Sequence, residues 1–315
     1  FGPSDADGTV TDDAAFFGTL QSGKVNTIQW AGSDERGLIM GTAGREWLIR
    51  SSAVNEVLTP STAKADPFAA TGSAPIQPIQ IENGTIFVQR ARRKVQDVVY
   101  SFERDQLKPR DITLASEHIT STGVAEMVLQ QEPINVIWMR RTDGKLIGMT
   151  YYPDEAVFAA HGHVIGGADM KVKSMCVIPS ADKSRDELWM VIERTVNSAT
   201  VKYIEYMTRY YEDDIAKEDA IVMDSTLTYD STATATVTGL THLEGETVKV
   251  MVDGNAHPDL VVASGSITLA NSLTGLVIQV GLGNTWAVKS QRLEGGSKNG
   301  VSQGKTKRAT GIVVR

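Results

Sequence analysis

The chain has 315 residues, of which 41% are hydrophobic and 22% charged, and its formal net charge is −7. This acidic balance argues against general nucleic-acid affinity, because tight phosphate binding requires a cationic surface. No apolar run approaches the roughly 20 residues that a helix needs to span a bilayer. The single cysteine, Cys176, excludes a disulfide within the chain and fits a protein made in a reducing cytosol. Its setting in an apolar run predicts a small buried side chain.

The sequence opens at Phe1 without Met and closes within the strand-like run GIVVR. We therefore expect a fragment of a longer protein, and no signal peptide is recognisable. The length is sufficient for two or three domains, at roughly 150 residues per domain.

A hairpin pattern recurs along the first two thirds of the chain. Each unit has two apolar runs separated by a short turn, as is typical of antiparallel hairpins. The strand pairs are GLIM and EWLIR (37–50), GTIFVQR and VQDVVYS (84–101), INVIWMR and KLIGMTY (134–151), and DELWMVIER and TVKYIEYM (186–207). The first strands centre near Ile39, Phe87, Ile137 and Trp189, so the successive spacings are 48, 50 and 52 residues.

A recurrence of about 40–50 residues with several short strands per unit is typical of β-propeller blades. Outer strands are predicted in 25–32, 75–81 and 170–178. A blade buries both faces against its neighbours, which explains why the strand runs are almost continuously apolar. We therefore predict a mainly β fold, with β-propeller-like blades over 1–211 that are incomplete or truncated. A β-sandwich with chance spacing is the alternative.

Two insertions are expected to interrupt the blades. Residues 51–75 are rich in Ser, Thr, Ala and Pro and predict an extended surface loop. Segment 105–128 contains the best helix candidate, since Asp111 can cap a helix in which Ile112 and Ile119 share one face.

The composition changes after the fourth hairpin. The acidic segment 212–225 predicts a linker between two domains. Residues 226–315 carry short strands rich in Thr, Val and Gly, with Gly, Asp or Asn turns between them. This pattern predicts a small antiparallel β-barrel or sandwich domain with a basic, Gly-rich loop at 295–308.

The loop at 295–308 lies in the one segment with an electrostatic asymmetry. Between residues 289 and 315, seven basic side chains accompany a single acid, Glu294. The candidate contacts to DNA or to a neighbouring subunit are Lys298, Lys305, Lys307 and Arg308. A solvated hairpin whose cations serve only solubility is the competing interpretation.

No constellation of catalytic residues is recognisable. His161 and His163 form a His-x-His pair whose side chains would share one face of a strand, as in half of a metal site. Because no third or fourth ligand lies nearby, structural or surface histidines are the favoured interpretation. Acidic pairs such as Asp186 and Glu187 lie at turns or in charge runs, where solvated surface explains them better than glycosidase chemistry. We expect no catalytic residue, no cofactor and no metal.

Three stretches carry a family resemblance. They are the W-x-x-R-x-D-G-x-L-x-x-x-T-Y core that begins at Trp138, the R-x-x-N-x-x-x-x-x-Y-I-E pair that begins at Arg194, and the GL-x-HLEG-x-x-V-x-V-x-x-DG stretch that begins at Gly239. Together they resemble the nozzle or stabilisation proteins in the tails of short-tailed bacteriophages. The resemblance extends from about residue 20 to residue 315.

The resemblance implies a β-propeller subunit with an inserted barrel domain, assembled as a homo-oligomeric ring (a hexamer in that family) at the end of the tail. Such a ring surrounds the DNA exit channel, touches the DNA transiently, and contacts the tail adaptor and the fibres or spikes. The family offers no catalytic residue to transfer to this chain. We therefore expect a structural protein of the virion that is made in the host cytoplasm and has no membrane span.

A carbohydrate-binding or glycan-active β-propeller module is the alternative function. It would require exposed aromatic side chains or converging carboxylates. Most aromatic residues lie within the apolar strand runs, which predicts core positions for Trp47, Phe87, Trp138, Trp189 and Tyr203.

Overall fold

A computed structural model describes residues 11–12, 18–20, 23, 27–53, 56–81, 84–102 and 105–285. In these residues the protein is mainly β, with strands arranged in several small antiparallel sheets. Short 3-10 turns lie at Leu114–Ser116, Lys217–Asp219, Thr241–Leu243 and Ala270–Ser272. Within the described part of the chain, no helix combines the length and the apolar character needed to cross a membrane.

Four antiparallel sheets follow one another along the chain, and each is a meander in which consecutive strands are neighbours. Sheet 1 consists of β1 (Ile28–Asp34), β2 (Gly37–Thr42), β3 (Glu46–Ser51) and β4 (Ala63–Ala69). Sheet 2 consists of β5 (Ile79–Ile81), β6 (Gly84–Val88), β7 (Val95–Ser101) and β8 (Gln106–Asp111). Sheet 3 consists of β9 (Val124–Gln130), β10 (Val136–Arg141), β11 (Leu146–Tyr152) and β12 (Val157–His163). Sheet 4 consists of β13 (Ala168–Pro179), β14 (Asp186–Val196) and β15 (Ala199–Tyr206).

The four predicted hairpins are confirmed, and each forms the second and third strands of one sheet. The turn between β10 and β11 illustrates why the chain reverses there. Gly144 has a φ of 87°, which glycine adopts without steric cost. The guanidinium of Arg141 donates to both oxygens of Asp143, at 3.1 and 2.7 Å, which stabilises the start of the same turn.

The sheets pack face to face in series, and one apolar cluster joins each sheet to the next. Between sheets 1 and 2, Trp30, Ile39 and Leu48 pack against Phe87 and Val98. A second cluster joins sheets 2 and 3, and a third joins sheets 3 and 4. No cluster among the described residues joins sheet 1 to sheet 4.

Sheet 3 is buried on both faces, as the alternation along β10 makes clear. Ile137 and Met139 belong to the cluster with sheet 2, whereas Val136 and Trp138 belong to the cluster with sheet 4. Because successive side chains of a strand point to opposite faces, a strand that is covered on both sides becomes continuously apolar. The sequence of β10 is therefore explained by a sheet on each side of it.

The C-terminal sheet has the strand order β16 (Asp224–Thr234), β21 (Gly275–Leu282), β18 (Thr247–Val252) and β19 (Asn255–Val261). A small separate sheet pairs β17 (Thr236–Thr238) with β20 (Ser266–Thr268). Both sheets contribute to one apolar cluster, which includes Val237, Val248, Ile267 and Ile278. In the observed strand order β16 and β19 are edge strands that do not pair with each other, so, of the predicted barrel or sandwich, a closed barrel is not formed by the described residues.

The two predicted insertions are partly wrong. Within 51–75, Ala63–Ala69 forms β4, an edge strand whose residues are half-buried or exposed and therefore lack apolar alternation. Segment 105–128 contains β8, the start of β9 and a single 3-10 turn instead of a longer helix. Asp111 Oδ1 accepts hydrogen bonds from the backbone nitrogen and hydroxyl of Thr113, at 2.9 and 2.7 Å, which closes a local turn. In 212–225, the last residues already belong to β16.

Candidate interaction surface

Sheet 4 differs from sheet 3 because only one of its faces is fully buried. Along β14, the side chains of Leu188, Met190 and Ile192 are buried in the cluster with sheet 3. The odd-numbered side chains between them, such as Trp189 and Val191, are half-buried. This strict alternation is typical of a sheet with one solvent-facing side.

The outer face of sheet 4 is apolar across all three strands. We define it by six side chains that point away from sheet 3: Cys176, Ile178, Trp189, Val191, Ile204 and Tyr206. The strand register places Cys176 beside Trp189, Trp189 beside Tyr206, and Val191 beside Ile204. Ile204 is 73% exposed, Tyr206 45% and Ile178 44%, and none of the six belongs to a core cluster of the described residues. Large apolar side chains that are contiguous and exposed are typical of an interaction site.

Aromatic stacking orders the centre of this face. The rings of Trp189 and Tyr206 lie 4.9 Å apart with an interplanar angle of 23°. The indole nitrogen of Trp189 donates to the carboxylate of Glu187 at 3.2 Å. The Glu187 carboxylate also pairs with Arg185 at 3.1 Å. The indole is thereby held in a fixed position on an otherwise open surface.

Charged side chains border the apolar centre at its other end. Lys173 and Lys202 approach the carboxylate of Glu193 at 3.6 and 3.7 Å. The arrangement of an apolar centre with a charged border is common in protein–protein interfaces.

Two sequence predictions fail on this face. Cys176 is exposed, although the apolar run around it predicted a buried side chain. Trp189 points to this outer face instead of the core. On the opposite face, beside Ile192, Tyr203 is only half-buried, and its ring lies 6.2 Å from the ring of His242. Trp47, Phe87 and Trp138 are buried as predicted. A run of apolar residues does not reveal which of its side chains face the neighbouring sheet and which face outwards.

The predicted His161 and His163 pair lies on one face of β12, as expected from the spacing. Nδ1 of His161 and Nε2 of His163 are 2.7 Å apart, so the two rings hydrogen-bond to each other. Both rings also pack edge-on against Trp138, at centroid distances of 6.0 and 4.8 Å. Gly148 makes room for them, because a Cβ at this position would collide with the ring of His161.

Burial lowers the pKa of both imidazoles and so favours their neutral form. Burial lowers the pKa of His161, and burial with a smaller contribution from His161 lowers the pKa of His163 to about 4. No group of three or more His, Cys, Asp or Glu side chains that could hold a metal ion occurs in the residues described. What the structure shows for the pair is a mutual hydrogen bond and edge-on packing against Trp138.

The acidic pair Asp186 and Glu187 is engaged in structural contacts. Asp186 Oδ2 accepts hydrogen bonds from the backbone nitrogens of Gln131 and Glu132, at 2.8 and 3.1 Å. Glu187 is held by Arg185 and Trp189, as described above. Nearby, a cleft of about 230 Å³ lies between the ends of sheets 3 and 4, and its walls include Leu188, Met207, Arg185 and Arg209.

The polar residues of the three motif stretches also make structural contacts. The indole of Trp138 donates to Gln130 Oε1 at 2.8 Å inside the core. Arg194 is buried and donates to Glu205, which is the last residue of its motif. Glu244 accepts hydrogen bonds from the backbone nitrogens of Ser264 and Gly265, at 2.9 and 2.6 Å. Asp253 accepts two more from the strand that begins at Gly275.

The candidate contacts Lys298, Lys305, Lys307 and Arg308 lie outside the described residues. No protein-family model matches the chain. No curated protein matches it either.

Proposed function

We propose that this protein is a structural component of a bacteriophage tail, the nozzle at its tip. In this proposal the four sheets act as β-propeller-like blades, and copies of the chain form a ring around the DNA exit channel. The ring contacts the tail adaptor and the fibres or spikes, as the resemblance implies.

The series of face-to-face sheets carries this proposal. Three apolar clusters join four consecutive sheets, and sheet 3 is buried on both sides. Burial of apolar surface stabilises a fold by about 25 cal/mol per Å², so such a series makes a rigid wall. The motif residues that carry the resemblance make structural contacts, Trp138 within sheet 3, Arg194 within sheet 4 and Glu244 within the C-terminal region.

The net charge of the chain is consistent with a channel for DNA. With a formal net charge of −7, the protein lacks the cationic excess that would bind phosphates tightly. A channel wall of this kind allows the genome to pass without adhering to it.

Immunogold labelling of phage particles tests the proposal. Antibodies raised against the purified chain should label intact particles at the tip of the tail, and an unrelated antiserum is the control. Labelling that is confined to the host cytoplasm, with none on purified particles, would contradict the proposal.

Carbohydrate binding is a second candidate function, because Trp189 and Tyr206 present aromatic rings on an open surface. A glycan array probed with the wild-type chain and with Trp189→Ala distinguishes the two candidates. A structural nozzle protein should show no glycan signal, whereas a carbohydrate-binding module should show one that Trp189→Ala abolishes.

A further inference from the structure

The central hairpin turns of sheets 1, 2 and 3 lie side by side along one edge of the series of sheets. Gly72 lies between the first two turns, where a Cβ would meet a carbonyl oxygen of the first turn at 2.4 Å and the Cβ of Arg90 at 3.4 Å. Gly123 lies between the second and third turns, where a Cβ would meet Arg92 at 3.2 Å and Thr142 at 3.7 Å. The three turns are residues 43–45, 90–94 and 141–145.

Basic side chains without an acidic partner are concentrated along this edge. The third turn meets sheet 4 next to Lys171, because the carbonyl of Gly144 accepts a hydrogen bond from the backbone nitrogen of Val172 at 2.8 Å. We define the basic rim by the six cations of this edge that form no salt bridge with another described residue: Arg45, Arg90, Arg92, Arg93, Lys145 and Lys171. The other described cations without a salt bridge lie in four separate segments, at Arg36, Lys108, Lys183 and Lys217.

The carboxylates beside the second and third turns are already engaged. Asp143 pairs with Arg141 at 2.7 Å. Asp111 and Glu117 lie 3.1 and 3.7 Å from the Nζ of Lys94. These acids therefore neutralise cations outside the defined set of six, and the charge of the basic rim remains available to a partner.

The excess of positive charge continues at the start of sheet 4. Lys171 lies opposite Glu193 in the strand register, and Lys173 and Lys202 approach the same carboxylate at 3.6 and 3.7 Å. Asp169 is a further acid here, and its Oδ2 accepts a hydrogen bond at 3.0 Å from a hydroxyl of β14. Three lysines therefore surround the single carboxylate of Glu193.

The backbone of Arg92 is a second indication that this edge has a function. Its φ is 62°, in the left-handed region that glycine and asparagine adopt more readily than arginine. Backbone strain of this kind is common at functional sites, where the side chain is needed in spite of its cost.

We infer that the basic rim binds the phosphate backbone of DNA. Four of its six side chains are arginines, whose planar guanidinium groups match the geometry of phosphate. Packed sheets lie about 10 Å apart, and the phosphates of one DNA strand recur about every 3.4 Å along the helix axis. Neighbouring turns are therefore about three phosphates apart.

A chain of phosphates fits the basic rim better than an acidic protein surface does. None of the exposed large apolar side chains lies in the three turns, whereas the centre of a protein–protein interface is usually apolar. The choice of DNA as the nucleic acid rests on the proposed function. The net charge of −7 limits the affinity, which should lie in the range of non-specific binding, about 10⁻⁴–10⁻⁶ M at physiological salt.

Fluorescence anisotropy of a labelled duplex of about 20 base pairs tests the inference. The combined variant Arg90→Gln, Arg93→Gln, Lys145→Gln and Lys171→Gln removes four exposed cations from the basic rim. The affinity should fall at least about tenfold at about 50 mM salt. The slope of log K against log salt concentration should decrease by about 3–4, since each lost phosphate contact removes about 1.

The matched control removes the same charge from four exposed lysines outside the basic rim. It is the combined variant Lys64→Gln, Lys183→Gln, Lys217→Gln and Lys249→Gln. This variant should bind within about threefold of the wild type, because non-specific charge contributes little at this distance. The basic residues between 289 and 315 are the same in both variants and therefore do not account for a difference. A wild-type chain that does not bind the duplex, or equal losses in the two variants, would overturn the inference.

Arg92→Asn separates a role in binding from a role in folding. Asparagine adopts a positive φ more readily than arginine, so the Tm should not decrease. The affinity for the duplex should decrease, and the salt slope should fall by about 1. A variant with a lower Tm and unchanged affinity would contradict a contact between Arg92 and DNA.

Alkylation of an introduced cysteine locates the bound DNA. Ala91 is exposed between Arg90 and Arg92, and Ala91→Cys in a Cys176→Ser background places one thiol on the basic rim. Saturating duplex should slow its alkylation at least about fivefold. Ser231→Cys in the same background is the control, because Ser231 is exposed on β16 and its thiol should react equally fast with and without DNA. Unchanged alkylation at position 91 in the presence of bound DNA would overturn the assignment of this edge.

Competition with polyglutamate distinguishes DNA from an acidic protein partner. Polyglutamate should require at least about a tenfold higher concentration of charges than unlabelled duplex to displace the labelled DNA, since its carboxylates lack the spacing and the charge density of the phosphate backbone. Equal displacement would overturn the choice of DNA. Loss of DNA binding leaves the tail location to immunogold labelling, and tail tips without label leave the DNA binding of the purified chain unaffected.

Discussion

The guanidinium of Arg194, which is buried, donates hydrogen bonds to both carboxylate oxygens of Glu205 on the neighbouring strand. Its Nε also donates to the carbonyl of Gly166, at 2.6 Å, and the backbone nitrogen of Gly166 donates to Asp224 at 2.7 Å. Asp224 is the first residue of β16. These contacts therefore connect sheet 4, the segment before it and the C-terminal sheet.

Replacement of Arg194 by Met should destabilise the protein by about 3–5 kcal/mol, because it leaves the carboxylate of Glu205 without its cation in a largely buried site. The free energy of unfolding from urea denaturation measures this loss. Arg209→Met is the control, since its pair with Asp214 is exposed and should cost less than about 1 kcal/mol. An Arg194→Met variant within 1 kcal/mol of the wild type would show that the network is not important for stability.

Because the sheets are packed in series, alanine substitution of a buried and of an exposed isoleucine should change the free energy of unfolding by very different amounts. Ile137 is fully buried between sheets 2 and 3, and Ile137→Ala should cost about 2–5 kcal/mol through lost contacts and the cavity that remains. Ile204→Ala removes the same atoms from an exposed site and should change the stability of the monomer by less than about 0.5 kcal/mol. Thermal and urea denaturation of both variants provide the comparison, and equal losses would contradict the assignment of the two faces.

We expect the stability of the protein to depend on pH through Glu46. Its carboxyl group is fully buried, and no cation among the described residues lies within ion-pair distance of it. Burial raises its pKa above the ordinary value of 4.5, although hydrogen bonds from Thr71 and Ser73 oppose the shift. A raised carboxyl pKa favours folding below the unfolded-state value, and this contribution is lost as pH rises through the folded-state pKa.

The variant Glu46→Gln removes this titration. The Tm of the variant relative to the wild type should therefore increase between pH 4 and pH 8. A difference in Tm that stays constant over this range, or that decreases, would contradict the direction of the shift.

The imidazole of His163 should change the stability of the protein with pH in the opposite direction. Its pKa is lowered to about 4, so the unfolded chain binds a proton more readily than the folded protein between pH 6.5 and 4. This group should therefore reduce stability as pH falls through that range. An NMR titration of the His163 ring should give a midpoint near 4, and a midpoint near 6.5 would show that the ring is solvated instead of packed on Trp138.

The hairpins were predictable because their signals are local. Alternating or continuous apolar runs and turns such as Asp143–Gly144 depend on a few neighbouring residues, and the four predicted pairs coincide with paired strands. The strand β4 was missed because its sequence AKADPFA contains a proline and only one large apolar side chain, Phe68, so it lacks the apolar pattern of the other strands. The helix expected after Asp111 was wrong because the Asp111 side chain closes a turn with Thr113.

The candidate surface was not predictable to the same degree. The outward direction of Trp189 and Cys176 depends on whether a further sheet covers sheet 4, and no local pattern carries that information. The same-face arrangement of His161 and His163 followed from their spacing, but their direct contact depends on the space above Gly148. Long-range packing decided both features.

Cryo-electron microscopy of the phage tail tests the central claim most directly. The account predicts that the four sheets fit the density of a ring around the exit channel. Tails whose tip has no density for these sheets, or sheets located in a fibre away from the channel, would contradict it.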